Sequence, residues 1–211
     1  RRLDLVAFSH AHADHIAGLE GVLDDLEVRV AIYPGVGRIF RRDINKGQTV
    51  EAVTAGETFV IGDLNVRVLG PPEDLVDSAR EEAISGEGSG LNDASVVLRI
   101  SQRDPLDSGD SCILFTGDIE EVGQEALITR YRRDIACDVL KAPHHGSPRI
   151  VEEFVRAADP EVVVVSVGRN DYGHPSRKAL SMFERTGARV LRTDRLGDIV
   201  LVIDEQGRIE T

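Results

Sequence analysis

Apolar residues come in short, separated runs along the chain, and their spacing predicts most of its elements. Leu3, Leu5, Val6, Ala7 and Phe8 form an opening strand. Ile16, Leu19, Leu23 and Leu26 then recur at roughly helical spacing, predicting a helix over residues 16–26. Val28, Val30 and Ile32 alternate as in a strand, closed by Pro34-Gly35. Residues 39–45 are short, basic and ambiguous. Residues 50–60 carry a hairpin-like turn at Ala55-Gly56-Glu57, and Leu64, Val66 and Val68 predict a half-buried strand ended by Pro71-Pro72. Residues 73–90 are acidic and poor in apolar side chains, which predicts an exposed loop with one helical turn.

The second half alternates strands and helices. Strands are expected at 95–101 and 112–116, with a polar turn at 103–110 between them and a helix at 120–130 after Gly117-Asp118. A short buried strand at 137–141 precedes a helical segment at 148–158. Residues 162–167 are almost wholly valine, the mark of a strand buried on both faces. Residues 176–186 read as an amphipathic helix after a Pro-Ser start, with Gly187 as its stop, and the last strands fall at 190–193 and 199–203. This order suggests an α/β chain of two sheets with helices outside, in one domain over residues 1–211.

Composition narrows the function classes. The net charge of −12 argues against an extensive basic DNA-binding face. Aromatics are scarce and Trp is absent, which argues against an aromatic stacking platform for bases. Neither excludes a nucleic-acid substrate, because two bound divalent ions make a cleft locally positive. Cys112 and Cys137 each sit in an apolar run and read as small buried residues in a reducing compartment; neither has zinc-motif spacing. No apolar run is long enough to span a bilayer, and no signal peptide opens the chain. The abrupt start at Arg1-Arg2 suggests a piece of a longer polypeptide.

The strongest chemical signal is Ser-His-Ala-His-Ala-Asp-His at residues 9–15, directly after the first strand. It puts three imidazoles and a carboxylate on a strand-to-helix loop. Neutral imidazole nitrogens and carboxylates are what divalent transition metals prefer. His10 and His12, two apart, point the same way from an extended segment, while Asp14 and His15 turn onward and can grip a second ion. A metal-free His-rich turn is the plain competing explanation, and it accounts poorly for four ligand types in this order.

The remaining histidines, His144, His145 and His174, also follow predicted strand ends, and none of the six lies in an obvious core position. Asp118 ends a strand after Gly117; it is either the N-cap of the next helix or, given the His cluster, a carboxylate bridging two metals. Adjacent His144 and His145 diverge, so one can ligate while the other meets substrate. His174 lies in the loop Gly-Arg-Asn-Asp-Tyr-Gly-His-Pro-Ser and reads as ligand, general acid, phosphate contact or plain surface. Asn92 and Asp93 precede a strand and read equally well as turn or cap residues.

Taken in order, His10-x-His12-x-Asp14-His15, Gly117-Asp118 and His144-His145 resemble the metal-ligand motifs of the metallo-β-lactamase superfamily. More narrowly, the chain resembles the metallo-β-lactamase-like domain of ComEC-type DNA-uptake competence proteins. The matching stretches are 91–98, 114–120, 138–147, 172–175 and 191–197. The resemblance implies an αββα sandwich, apparently lacking its first strands, with metals at one edge between the sheets. It implies His10 and His12 on one metal, Asp14 and His15 on the other, and Asp118 between them, with His145 a further ligand to one of the two. The ions would be two, zinc or manganese. Relatives carry a further His on the first metal; none lies between His15 and His144, and Asn92, or less readily Asp93, occupies that region.

The activity so implied is two-metal phosphodiester hydrolysis, with Asp14 orienting the attacking water and His144 or His174 serving the leaving oxygen or the developing charge. In full-length relatives such a domain follows a polytopic channel in the bacterial inner membrane and is thought to degrade the non-transported DNA strand. Its partners would then be single-stranded DNA and that channel. Two alternatives stand beside it: a small-molecule hydrolase for a lactone, thioester, lactam or phosphocholine ester, and a non-catalytic module stabilised by metal.

Overall fold

The computed structural model describes residues 1–36, 49–85, 90–102, 111–204 and 208–211. The ambiguous segment at 39–45 and the polar turn at 103–110 lie outside the described residues. Two sheets make the body. The first is parallel, in the order β1 (Arg2–Ala7), β2 (Glu27–Tyr33), β3 (Thr49–Ala52).

The second has seven strands: β4 (Thr58–Ile61), β5 (Leu64–Gly70), β6 (Val97–Gln102), β7 (Cys112–Phe115), β8 (Val139–Lys141), β9 (Val162–Val165) and β10 (Arg189–Arg192). They lie side by side in the order β10-β9-β8-β7-β6-β5-β4. Strands β4 to β7 pair antiparallel and β7 to β10 pair parallel. A short ribbon of β11 (Val202–Ile203) and β12 (Ile209–Glu210) follows.

Apolar alternation explains the layering. Ile32 from the first sheet packs with Val66, Val68, Val96 and Leu98 of the second, forming a core between the sheets. The other face of the first sheet buries Phe8, Val28 and Tyr33 under Leu19 and Val22 of α2 (Leu19–Asp25). The other face of the second sheet, through Leu114, Leu140, Val163 and Val165, carries Leu127 of α5 (Glu121–Tyr131), Phe154 of α6 (Glu152–Ala158) and Phe183 of α7 (Arg177–Arg185). The result is the layered helix–sheet–sheet–helix arrangement that the patterning suggested. Among the described residues, no helix is long and apolar enough to cross a membrane.

Three local expectations need correction. Residues 73–85 are not loop but a helix, α3 (Glu73–Ser85). Among its described side chains Val76 and Ala79 are buried against Val36 and Ala94, while most of the charged ones face water, so composition alone reads it as loop. The 50–60 segment is not a hairpin: β3 pairs with β2 and β4 with β5, so the Ala55-Gly56 turn carries the chain from one sheet to the other. The hairpin lies one turn later, where Ile61 faces Leu64 across Gly62-Asp63 and Gly62 takes a positive φ of 59°. The helix expected at 16–26 is two short ones, α1 (Ala13–Ile16) and α2, parted at Gly18. The other elements stand close to their expected places. Ser176 caps α7 by accepting from Ala179 N–H at 3.1 Å. Both cysteines are buried and free.

Candidate metal centre

Strand β1 delivers the His motif to the seam between the sheets. Phe8 N–H donates to Ile32 O in the first sheet, and Val96 N–H donates to Ser9 O from the approach to β6 in the second. The chain leaves the seam through α1, which carries Asp14 and His15. Opposite, the end of β7 supplies Asp118. Gly117 precedes it with φ of 54°, and a Cβ there would stand 2.6 Å from Ser95 Cβ and 2.9 Å from Ser9 Cβ, so only glycine allows this approach. Asp118 N–H donates to Ser95 Oγ at 3.1 Å.

The end of β8 supplies the histidine pair on a 3-10 turn, Pro143–Gly146. His144 and His145 adopt left-handed φ values of 43° and 54° ahead of Gly146 at 78°. Side chains resist that region, at a cost of about 1–3 kcal/mol each, and the surrounding packing must hold them there. What the strain achieves is divergence. His145 turns toward Asp14 and Asp118, and His144 toward Glu120.

Asp14, His15, Asp118 and His145 each offer one ligand atom, all within 4.8 Å of one another. His15 Nε2 lies 3.2 Å from Asp118 Oδ2 and 3.5 Å from Asp14 Oδ2. His145 Nε2 lies 3.2 Å and 3.1 Å from the same two oxygens. The outer nitrogens are spoken for: His145 Nδ1–H donates to the carbonyl Ser166 O at 2.7 Å, and His15 Nδ1 stands 2.9 Å from Ser9 Oγ, a hydroxyl that can donate or accept. With its Nδ1–H so engaged, His145 turns Nε2 toward the two carboxylates, the orientation metal-ligating histidines use. His15 Nε2 is buried with no aligned hydrogen-bond partner, although two carboxylates stand beside it. Two imidazole nitrogens and two carboxylates gathered at one point fit a divalent cation.

Electrostatics agree. Burial would raise the Asp118 carboxyl, but the facing His145 and His15 rings and the nearby Lys141 ammonium hold it well below the carboxylate range. The hydrogen bond to Asp118 raises His145. Burial also works against Asp14, yet His15 and His145 hold it low. Lys141, itself lowered by burial, donates to Gly117 O at 2.8 Å and lies 3.3 Å from Asp118 Oδ1. The two oxygens of Asp118 are thus divided: Oδ1 faces the ammonium and Oδ2 the histidines.

His10 and His12 form a separate pair beside this set, with His10 Nε2 2.9 Å from His12 Nδ1. His10 is buried, against the expectation that no histidine would occupy a core position; Ser9 Oγ and Ser95 Oγ stand 3.2 and 3.3 Å from its Nδ1 and compensate it. Burial and then His15 lower its pKa to about 3, leaving a neutral ring. Asn92 is buried, and its amide N–H donates to Glu120 Oε1 at 3.2 Å, while its Oδ1 has no partner. Among the described residues no hydrogen bond joins Asn92 to His10 or His12. Asp93 takes a different task. It accepts from Glu120 N–H at 2.7 Å and Gly123 N–H at 2.9 Å, and so caps α5 from another part of the chain. Asp118 therefore does not serve as that helix's cap.

Sequence reading did not single out Glu120 or Lys141. Glu120 is buried; it meets His144 Nδ1 at 2.9 Å through Oε1 and Arg149 through Oε2. His144 Nε2 stands 3.9 Å from Asp118 Oδ2, and its ring meets that of His174 edge-on at 5.3 Å. Burial and the neighbouring His144 lower His174. A carboxylate buried two residues past Asp118 was the available signal for Glu120.

Comparison with known proteins places this geometry. Residues 1–100 match the family model of the Metallo-beta-lactamase superfamily. ComE operon protein 3 of Bacillus subtilis is 30% identical over 208 residues, covering 94% of this chain and 24% of that protein. Competence protein ComA of Neisseria gonorrhoeae is 29% identical over 199 residues, covering 93% and 25%. The chain thus spans about a quarter of the length of these curated relatives. In fold it is similar to CmlA, a diiron beta-hydroxylase from Streptomyces venezuelae, with a TM-score of 0.57 at 16% identity, over 90% of this chain and 44% of that one. It is also similar to the metallo-beta-lactamase fold protein YhfI from Bacillus subtilis, with a TM-score of 0.51 at 14% identity, over 90% and 74%. By motif order, layered architecture and these likenesses, the chain has the metallo-β-lactamase fold, and its residues 1–100 match that superfamily's model.

Proposed function

We propose that this chain is a metal-dependent phosphodiesterase domain that hydrolyses the non-transported strand of DNA during uptake. Its working partners would be single-stranded DNA and the membrane channel of a longer protein. The observation that carries the hydrolytic part is the convergence of Asp14, His15, Asp118 and His145 with both imidazole Nε2 atoms facing inward. The DNA part rests on similarity to the two competence proteins.

In this reading His10 and His12 would hold one divalent ion and Asp14, His15 and His145 the other, with Asp118 shared and Asn92 a substitute ligand for the first. Two such ions, zinc or manganese, supply Lewis-acid charge and lower the pKa of water toward neutrality. The chain's own groups do the rest. Asp14 is the most exposed of the four donors, its side chain 61% accessible, so it meets entering water and orients it. His144, held at Nδ1 by Glu120, presents Nε2 on the Asp118 side, where it gives a proton to the leaving oxygen. The Arg149 contact holds Glu120 in place. His174, packed against His144, closes that flank.

The test is cleavage of end-labelled single- and double-stranded DNA with Mn²⁺, with Zn²⁺ and with EDTA, beside His12→Ala. Metal-dependent cleavage, lost in the variant, is expected. No cleavage by protein that has demonstrably bound metal would refute the nuclease reading and favour a small-ester hydrolase or a non-catalytic module.

A further inference from the structure

The loop between β9 and α7 holds an aromatic ring out into solvent. Tyr172 is 85% exposed. Its backbone is nevertheless fixed, because Asn170 ties the loop from within. Asn170 Oδ1 accepts from Tyr172 N–H and His174 N–H, both at 3.1 Å. Its Nδ2 donates to Gly168 O at 2.9 Å and His174 O at 2.8 Å. The Tyr172 ring lies near-parallel to that of His174, at 30° with centroids 6.2 Å apart. His174 in turn packs on His144 beside the metal centre.

Tyr172 thus stands two ring contacts from the group that serves the leaving oxygen. Arg169 and Arg177 flank it, both exposed and without an ion pair among the described residues; Asp171 is the one exposed carboxylate within the loop. A loop whose backbone is already tied has less freedom for binding to take, and the ring it carries has an open face. The overall scarcity of aromatics argues against a row of stacked rings, not against one.

We propose that Tyr172 is a stacking platform for an unpaired nucleobase next to the scissile phosphate, with Arg169 and Arg177 drawing the adjoining phosphates. The proposal rests on the DNA reading above and deepens it. A base in a duplex already has both faces covered by its neighbours, whereas a base in a single strand has a face to give. The platform therefore supplies a preference for single strands without reading sequence.

The test uses Mn²⁺-loaded protein and a phosphorothioate-linked single strand carrying one 2-aminopurine, whose fluorescence reports stacking. Tyr172→Ala should weaken binding by about 5- to 100-fold and abolish the stacking signal, while Tyr172→Phe keeps both. An abasic site at the reporting position should cost the wild type the same factor and cost Tyr172→Ala little more, since the two changes remove one interaction. Equal binding by wild type and Tyr172→Ala, or additive losses, overturns the platform. Cleavage of the ordinary oligonucleotide is measured in parallel. Absence of cleavage by the wild type overturns the nuclease reading alone, because stacking is scored without it.

Discussion

Replacing Asp93 with alanine should destabilise the fold by about 2–4 kcal/mol, and replacing it with asparagine should cost far less. Asp93 is buried and accepts from the N–H groups of Glu120 and Gly123 at the start of α5. Alanine leaves both donors without an acceptor, at about 1–3 kcal/mol for each buried group left unpaired. Asparagine keeps an acceptor oxygen in place. The charge itself is a burden, since burial raises the Asp93 carboxyl despite its two donors. With the folded pKa above the unfolded one, the folded state binds more protons. Wild-type stability should therefore rise as pH falls through that raised pKa toward the ordinary carboxylate value, and the asparagine variant should lack this gain. At roughly 2–4 °C per kcal/mol for a chain of this size, alanine should lower the melting temperature by about 5–12 °C. Calorimetry or thermal melts by circular dichroism read it directly. An alanine variant within about 0.5 kcal/mol of wild type, or an asparagine variant as damaged as alanine, would refute the capping argument.

The same junction predicts that Gly123→Ala, normally favourable in a helix, destabilises by about 1 kcal/mol or more. Its Cβ would stand 2.9 Å from both Asp93 Oδ1 and Ile119 Cβ, and a rise in melting temperature would contradict this. Lys141→Met should lower the melting temperature more in EDTA than with saturating Mn²⁺, because a bound cation takes over the charge compensation of Asp118; equal losses would count against that role. Divalent-metal affinity, followed by isothermal titration, should fall on acidification through the pKa of His145, about tenfold per pH unit for one displaced proton. An affinity unchanged between about pH 8 and about pH 6 would sink the assignment of His145 as a ligand.

The legible parts of this chain were those whose signal is local. Buried strands such as β9 and capped helices such as α7 announce themselves by run and spacing, and so does a His motif at a strand end. What sequence hid depends on partners far along the chain. The Ala55-Gly56 turn is visible as a turn, but whether it joins one sheet or two depends on β2 and β5. Among the described side chains helix α3 buries Val76 and Ala79 between charged neighbours, a weak signal for a helical period. Asp93 and Asn92 look alike as turn residues; contacts to Glu120 and Gly123, 27 to 30 residues on, give them separate jobs. Lys141 reads as the polar end of a strand until Asp118 is placed beside it.

The candidate metal centre draws Asp14 and His15 from the three-stranded sheet's side of the seam and Asp118 and His145 from the seven-stranded sheet. A cation there would rivet the two halves of the sandwich across more than a hundred residues of intervening chain, as a long-range cross-link does. Loading and assembly become one event: the sheets must dock in register before the donors meet, and the ion then slows their parting. A damaged or mispaired sandwich would hold metal poorly, so retained metal doubles as a certificate of correct assembly.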